Sequence, residues 1–133
     1  MTRQRAGSIV AALAAVGFIA TAALHSTGYN SVTRLAMQSP TEFHALVPAL
    51  WLAFAFDLTV VGLIVGVVAL RPSTTGRLIL AIAAACPISA AGLQLWFLGF
   101  IPPTGILLGV GGLTLVAAGV LPRGIPGSRA TSG

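Results

Sequence analysis

Four apolar stretches, each about as long as a membrane is thick, constrain the fold of this chain more than any other feature of its sequence. A helix rises about 1.5 Å per residue, so roughly 20 apolar residues cross a hydrocarbon core of about 30 Å. Hydrophobic residues make up 56% of the 133 positions and charged residues only 7%, a balance typical of integral membrane proteins. We therefore predict one all-α membrane domain over residues 1–133, a bundle of four transmembrane helices. Their expected bounds are about 6–25, 40–71, 77–99 and 102–121.

The arginines indicate how this bundle is oriented. The chain has seven of them and no lysine, and basic residues favour the cytoplasmic side of a membrane. Six lie on one side if both termini and the connection between the second and third helices are cytoplasmic: Arg3, Arg5, Arg71, Arg77, Arg123 and Arg129. Arg34 alone then lies in an outer loop over residues 26–39. We predict a multi-pass protein of the bacterial cytoplasmic (inner) membrane, with cytoplasmic termini and a disordered tail over 123–133. The scattered arginines do not form a nucleic-acid-binding patch.

The first apolar segment also permits a different interpretation. Residues 1–5 could be the basic region of a signal peptide, residues 9–20 its apolar core, and residues 20–22 (Ala-Thr-Ala) its cleavage site. The segment is also long enough to span the membrane, and its loss would leave three helices. N-terminal sequencing of the mature protein would distinguish the two.

Asp57 is the only charge in the 25-residue run over 46–70. An aspartate at the centre of a spanning helix costs about 2.5 to 3.5 kcal/mol on insertion scales. If Trp51 marks the outer interface, where indoles collect, Asp57 lies about 9 Å below it in the outer half of the membrane. Its role could be a neutral or hydrogen-bonded contact that fixes helix register, with Thr21 or Ser89 as partner. It could equally be a group that titrates or contacts a cation.

Polar residues are predicted to collect near the outer ends of the helices. A faint similarity between residues 18–25 and 87–94 would place His25 and Gln94 at matching points of the outer mouth. Together with Asp57, His44 and Tyr29, they form a candidate outward-facing polar pocket. An outer loop must be polar in any case, so a solvated loop is the alternative.

The two histidines and the single cysteine are the candidate metal ligands. His25 and His44 could hold a haem iron between them. Alternatively, His25 is favoured by the negative end of the first helix dipole and His44 is a solvated interfacial residue. Cys86 has no second cysteine to pair with and is expected to be a small buried side chain. We expect no metal site, and no cofactor outside the haem hypothesis.

Small residues recur at the spacing of closely packed membrane helices. Gly62 and Gly66 form such a pair in the second helix, and Gly105 and Gly109 form another in the fourth. At 100° per residue, Asp57 lies about 140° around the helix from Gly62. The second helix is thus predicted to have two faces that need protein beside them, one of which could contact another copy or another membrane subunit. A chain this rich in glycine also contains such pairs by chance.

A capping motif is expected to start the second helix. Ser39, Pro40 and Glu42 have the spacing of a capping box with proline at the first helical position. Pro48 should bend the helix near the outer interface, because proline removes a main-chain hydrogen bond.

The segment Ala-Leu-His-Ser-Thr-Gly-Tyr over 23–29, followed by Leu-Trp-Leu over 50–52, resembles uncharacterised four-span bacterial membrane proteins that are loosely similar to DoxX-like proteins. This resemblance implies a four-helix bundle and no particular activity. Small multidrug-resistance transporters are also short and four-span, but their essential acid lies in the first helix. Residues 6–24 contain no acid here.

These observations leave three functional hypotheses. The first is a non-enzymatic structural, accessory or oligomerising component of the lipid bilayer, assembled through its small-residue seams. The second is a small transporter or ligand-binding protein that uses the outward-facing pocket. The third is a membrane redox protein that binds haem or quinone near the same mouth.

Overall fold

A computed structural model describes residues 2–121, and within that range every regular element is an α-helix. The helices are α1 (Arg3–Thr27), α2 (Tyr29–Ala36), α3 (Phe43–Leu70), α4 (Thr74–Leu98) and α5 (Pro102–Val120). All except α2 are long and apolar enough to cross a membrane. The predicted all-α bundle of four transmembrane helices is therefore confirmed. The tail predicted over 123–133 lies outside the described residues.

The four long helices are not arranged in chain order. Helix α1 packs extensively against both α3 and α5, α4 packs against α5, and α3 and α4 touch only lightly. The order around the bundle is thus α3, α1, α5, α4, with an open side between α3 and α4. The guanidinium of Arg3 donates a hydrogen bond to the main-chain oxygen of Gly119 at 3.2 Å, so α1 begins at the end of the bundle where α5 finishes. We call the opposite end, where α2 lies, the α2 end.

The helices approach closely because glycine lies at the contacts. A Cβ placed on Gly62 of α3 would lie 2.9 Å from the Cβ of Phe18 in α1. On the other side of the bundle, a Cβ on Gly111 of α5 would lie 2.7 Å from the Cγ1 of Ile88 in α4. In a membrane, such close contact supplies the packing energy that the hydrophobic effect supplies in water. The largest fully buried apolar side chains fill the space between these contacts: Phe18, Leu58, Leu80, Leu107, Leu121 and Val65.

The structure places the two predicted glycine seams differently. Gly62 packs inside the chain, against α1, and a Cβ placed on Gly66 would be in ordinary contact with the Cβ of Ala15 at 3.7 Å. A Cβ placed on Gly109 would meet no other element within 4 Å among residues 2–121, and one placed on Gly105 would meet only the ring of Phe100. The α3 seam is therefore used by the fold itself, whereas the α5 seam faces outward.

The segment predicted as an outer loop contains a helix, α2, which packs against α3. The predicted capping box is wrong. Ser39 donates its hydroxyl to the main-chain oxygen of Leu35 at 3.3 Å and so satisfies the end of α2. Glu42 is the residue before α3 and makes no side-chain cap, so α3 begins at Phe43. Pro48 lies inside that helix, as expected.

Candidate functional site

His25, near the last turn of α1, is held by Trp51 of α3. Their rings are stacked, with centroids 3.8 Å apart and planes 18° from parallel. Trp51 Nε1 donates to the main-chain oxygen of His25 at 2.9 Å, and His25 Nε2 lies 3.1 Å from the main-chain oxygen of Trp51. A carbonyl can only accept, so Nε2 is the protonated nitrogen and Nδ1 is the acceptor of the neutral ring.

Two further residues fix this stacked pair. The ring of Phe54 meets His25 edge-on, with centroids 5.0 Å apart and an interplanar angle of 70°. A Cβ on Gly28 would lie 2.7 Å from Cζ2 of Trp51, so glycine at this position is what allows the indole to lie against the end of α1. The main-chain oxygen of His25 accepts from both Trp51 and the Gly28 N–H. The carbonyl at the helix end, which lacks the usual donor, is thereby satisfied.

Gln94 of α4 is fixed by α5. The hydroxyl of Thr104, which is fully buried, donates to Gln94 Oε1 at 2.9 Å. An amide has separate donor and acceptor ends, so this bond leaves the Nε2 hydrogens of Gln94 free to donate to another group.

His25 and Gln94 line the same cavity, which we call the mouth cavity. It has a volume of about 170 Å³ and lies at the α2 end between all four long helices. Its walls are mainly apolar and include the rings of Trp51 and Phe54 and the α5 residues Pro103, Ile106 and Leu107.

Two threonines also line the mouth cavity, but their hydroxyl hydrogens are already used. Thr21 donates to the main-chain oxygen of Gly17 at 2.7 Å, and Thr27 donates to that of Leu24 at 2.7 Å. Among the residues that line the cavity, His25 and Gln94 therefore keep a side-chain acceptor (Nδ1) and donor (Nε2) that no hydrogen bond within residues 2–121 uses.

A second depression, the α3–α4 groove, adjoins the mouth cavity. Its volume is about 370 Å³, and it shares His25, Trp51, Phe54 and Gln94 with the mouth cavity. Its remaining walls are apolar side chains of the two helices: Val47, Leu50, Ala90 and Leu93. It lies on the side where α3 and α4 separate, so it opens sideways along the bundle rather than at its end.

The structure brings together only part of the predicted polar pocket. Tyr29 begins α2 and is half-buried, and Asp57 is exposed on α3. His44 is half-buried and hydrogen-bonded through Nε2 to the main-chain oxygen of Ser39 at 2.9 Å. These three residues line neither the mouth cavity nor the α3–α4 groove. The predicted pocket therefore reduces to His25 and Gln94.

The two histidines do not share a site. Each donates from Nε2 to the main chain, His25 to Trp51 and His44 to Ser39, and only His25 lines the mouth cavity. Within residues 2–121, no group of three or more His, Cys, Asp or Glu side chains is placed to hold a metal ion. The geometry gives no support to a haem held between these two residues.

The sequence did not indicate the residues that build the walls. Trp51 was expected only to mark the depth of the membrane interface; the structure adds that it is half-buried against α1, whereas Trp96 is 83% exposed. Phe54 lies one helical turn beyond Trp51, a spacing that places both on one face of α3. No feature of the sequence predicts the role of Thr104, because that role depends on the packing of α5 against α4.

The fold and site define a class: a helical membrane protein with four long helices and a small, mainly apolar cavity at one end of the bundle. Comparison of the chain with models of protein families, with curated proteins and with solved structures gave no match. The functional argument therefore rests on the residues themselves.

Proposed function

We propose that this protein binds a small, mainly apolar molecule in the mouth cavity, at the outer face of the bacterial cytoplasmic membrane. One observation supports this most directly. His25 and Gln94, on helices that are not neighbours in the bundle, line one cavity and each retain an atom able to bond a ligand. A few oriented polar groups in an apolar cavity are the usual features of a small-molecule site.

The size of the cavity limits the ligand. A cavity of about 150 Å³ in a protein core is known to accommodate benzene, and the mouth cavity is about 170 Å³. The stacked rings of His25 and Trp51 and the edge of Phe54 suit a planar partner, since aromatic rings favour offset-stacked and edge-to-face contacts. We therefore assign the cavity to a single ring, or to the ring end of a longer lipophilic molecule.

The polar atoms specify the substituents on that ring. Gln94 Nε2 can donate to a carbonyl oxygen, and His25 Nδ1 can accept from a hydroxyl. A quinone head group offers the carbonyl oxygen, and a phenol head group offers the hydroxyl. The function we propose is binding, and no redox step follows from the residues present.

The α3–α4 groove offers a route from the membrane. An apolar molecule concentrates in the bilayer, and the groove joins the open side of the bundle to His25 and Gln94. The predicted topology, in which six of seven arginines are cytoplasmic, would put the mouth cavity in the outer leaflet.

Trp51 provides a direct test, because the chain has only two tryptophans. In a Trp96→Phe variant, the remaining indole lines the cavity. We expect duroquinone to quench its fluorescence saturably in vesicles. Gln94→Leu removes one donor worth about 1 kcal/mol and should weaken binding about fivefold. Durene, the same methylated ring without oxygens, should compete poorly.

The reciprocal variant is the control. Trp51→Phe leaves only Trp96, which is exposed on α4 outside the cavity, so its quenching should rise with quinone concentration without saturating. Equal, unsaturable quenching in both single-tryptophan proteins would refute the proposed function.

A further inference from the structure

Asp57 is exposed at the centre of an apolar face of α3. Around a helix with 100° per residue, Leu50, Ala53, Val60 and Ile64 lie within about 60° of it. All four are exposed as well. We call these five residues the Asp57 face. The other side of α3, which includes Gly62, is the side that packs on α1.

The position of Asp57 along α3 indicates how deep its carboxyl lies in the membrane. Leu70 ends α3. With this end at the edge of the hydrocarbon core, the 13 residue steps from Asp57 to Leu70 span about 20 Å, whereas half of the core is about 15 Å. Asp57 is thus about 5 Å from the midplane, in agreement with the depth counted from Trp51. Lysine and arginine can extend their charge to the interface from such a depth, but aspartate has a single methylene and cannot.

The neighbourhood of Asp57 is the open side of the bundle. Helices α3 and α4 touch only lightly, and Leu50, which lies about 20° from Asp57 around α3, lines the groove between them. A further helix placed along this side would cover the Asp57 face at an ordinary interaxial distance of about 8 to 10 Å.

We propose that the Asp57 face binds a transmembrane helix of another protein, and that a basic side chain of that helix pairs with Asp57. The charge argues for such a partner, because an acid in apolar surroundings is stabilised by an adjacent opposite charge. A second copy fits less well. Within residues 2–121, the arginines lie at or beyond the ends of the long helices or in α2, so two facing copies would place carboxyl against carboxyl.

Asp57 itself lines neither the mouth cavity nor the α3–α4 groove, but Leu50 belongs both to the Asp57 face and to the wall of that groove. The inference rests on the charge of Asp57 and not on ligand binding, although a helix on this face would border the route of ligand entry. It develops the hypothesis of an accessory membrane component but moves the contact away from the glycine pair at Gly62. That pair is already occupied by α1.

Synthetic helices of defined sequence test the pairing. The full-length protein, labelled at its N-terminus with a fluorescence donor, is reconstituted in phosphatidylcholine vesicles with an acceptor-labelled polyleucine transmembrane peptide. One peptide carries a single arginine at its centre and the other carries leucine there. We expect the arginine peptide to bind about tenfold more tightly. Asp57→Leu should abolish the difference, and Asp57→Asn should reduce it.

Two bulky substitutions test whether the peptide binds at the Asp57 face or elsewhere on the surface. Ala53→Trp adds an indole to the Asp57 face, whereas Val116→Trp adds one to an exposed position of α5. Only the first should weaken binding of the arginine peptide. Equal binding of the two peptides to the wild-type protein would overturn the proposal. So would self-association of the protein, without peptide, that is lost in Asp57→Leu, because the face would then belong to a second copy.

Discussion

His25 and Trp51 are bonded reciprocally: the side chain of each donates to the main-chain oxygen of the other, at 3.1 Å and 2.9 Å. The two rings are also stacked on each other. It joins the end of α1 to the first turns of α3 and forms one wall of the mouth cavity. The same two side chains therefore hold two helices together and shape the candidate site.

The first prediction concerns this reciprocal pair. Trp51→Phe and His25→Phe each remove one hydrogen bond while keeping an aromatic ring, so each should lower the free energy of unfolding by about 1 kcal/mol. The double variant should lose less than the sum, because the two bonds share one geometry. Unfolding by SDS in mixed micelles measures all three. As a control, Trp96→Phe, at an 83% exposed position, should change the free energy of unfolding little. If the losses of the two single variants add up to that of the double variant, the two bonds act separately.

The second prediction compares two glycines of the same type of seam. Gly62→Ala places a methyl group 2.9 Å from the Cβ of Phe18 and should destabilise the fold by about 1 to 3 kcal/mol. Gly109→Ala adds a methyl group at a position with nothing within 4 Å among the described residues and should leave stability unchanged or slightly higher. SDS unfolding of the two variants checks this. An equal loss of stability in the two variants would mean that the α5 glycines also pack closely against another helix in the membrane.

A third prediction uses the two buried threonines of α5, Thr104 and Thr114. Thr104→Val leaves Gln94 Oε1 without its donor and should cost about 1 kcal/mol. Thr114→Val should cost less, because that hydroxyl donates to the main-chain oxygen of Val110, which is already within the same helix. Thr104→Val should also weaken duroquinone binding, whereas Thr114→Val should not. A duroquinone affinity equally reduced in both would contradict a specific role for Thr104.

The fourth prediction tests the membrane orientation. In a Cys86→Ala background, a cysteine at exposed Asn30 in α2 should react with a membrane-impermeant maleimide on intact cells. A cysteine at exposed Thr75, in the first turn of α4, should react only after permeabilisation. The reverse pattern would place both termini outside.

The fifth prediction is that the mature protein retains α1. This helix lies between α3 and α5, and Ala11, Ala14 and Phe18 are fully buried, so cleavage after Ala22 would expose the centre of the bundle. N-terminal sequencing of protein purified from membranes should begin before Arg3. A sequence that begins after the Ala-Thr-Ala segment would establish a signal peptide instead.

The spans were predictable because hydropathy alone determines them, and His25 and Gln94 could be assigned to one end because depth follows from position along a helix. The direction in which a side chain points was harder to predict. Trp51 has the residue type of an interface marker but turns inward, since rotation about the helix axis depends on which neighbours it meets. The same reason explains why Gly111, rather than Gly105 or Gly109, packs against α4.

The short helix α2 was missed for a different reason. Eight residues are too few to form a stable isolated helix, so its existence depends on packing against α3. The loop sequence carries polar residues whether it is helical or not. Ser39 illustrates the ambiguity, because its hydroxyl could cap the start of α3 or the end of α2 and the structure uses it for the latter.

The order of helices around the bundle affects how the chain is completed during synthesis. Helix α1 leaves the ribosome before α3, α4 and α5, and because it packs on both α3 and α5, part of its surface stays uncovered until α5 is inserted. The α3–α4 hairpin has little contact of its own to stabilise it. Insertion of α5 is therefore the step that joins α4 to the α1–α3 pair, and a chain truncated before residue 102 should remain a target for membrane proteases.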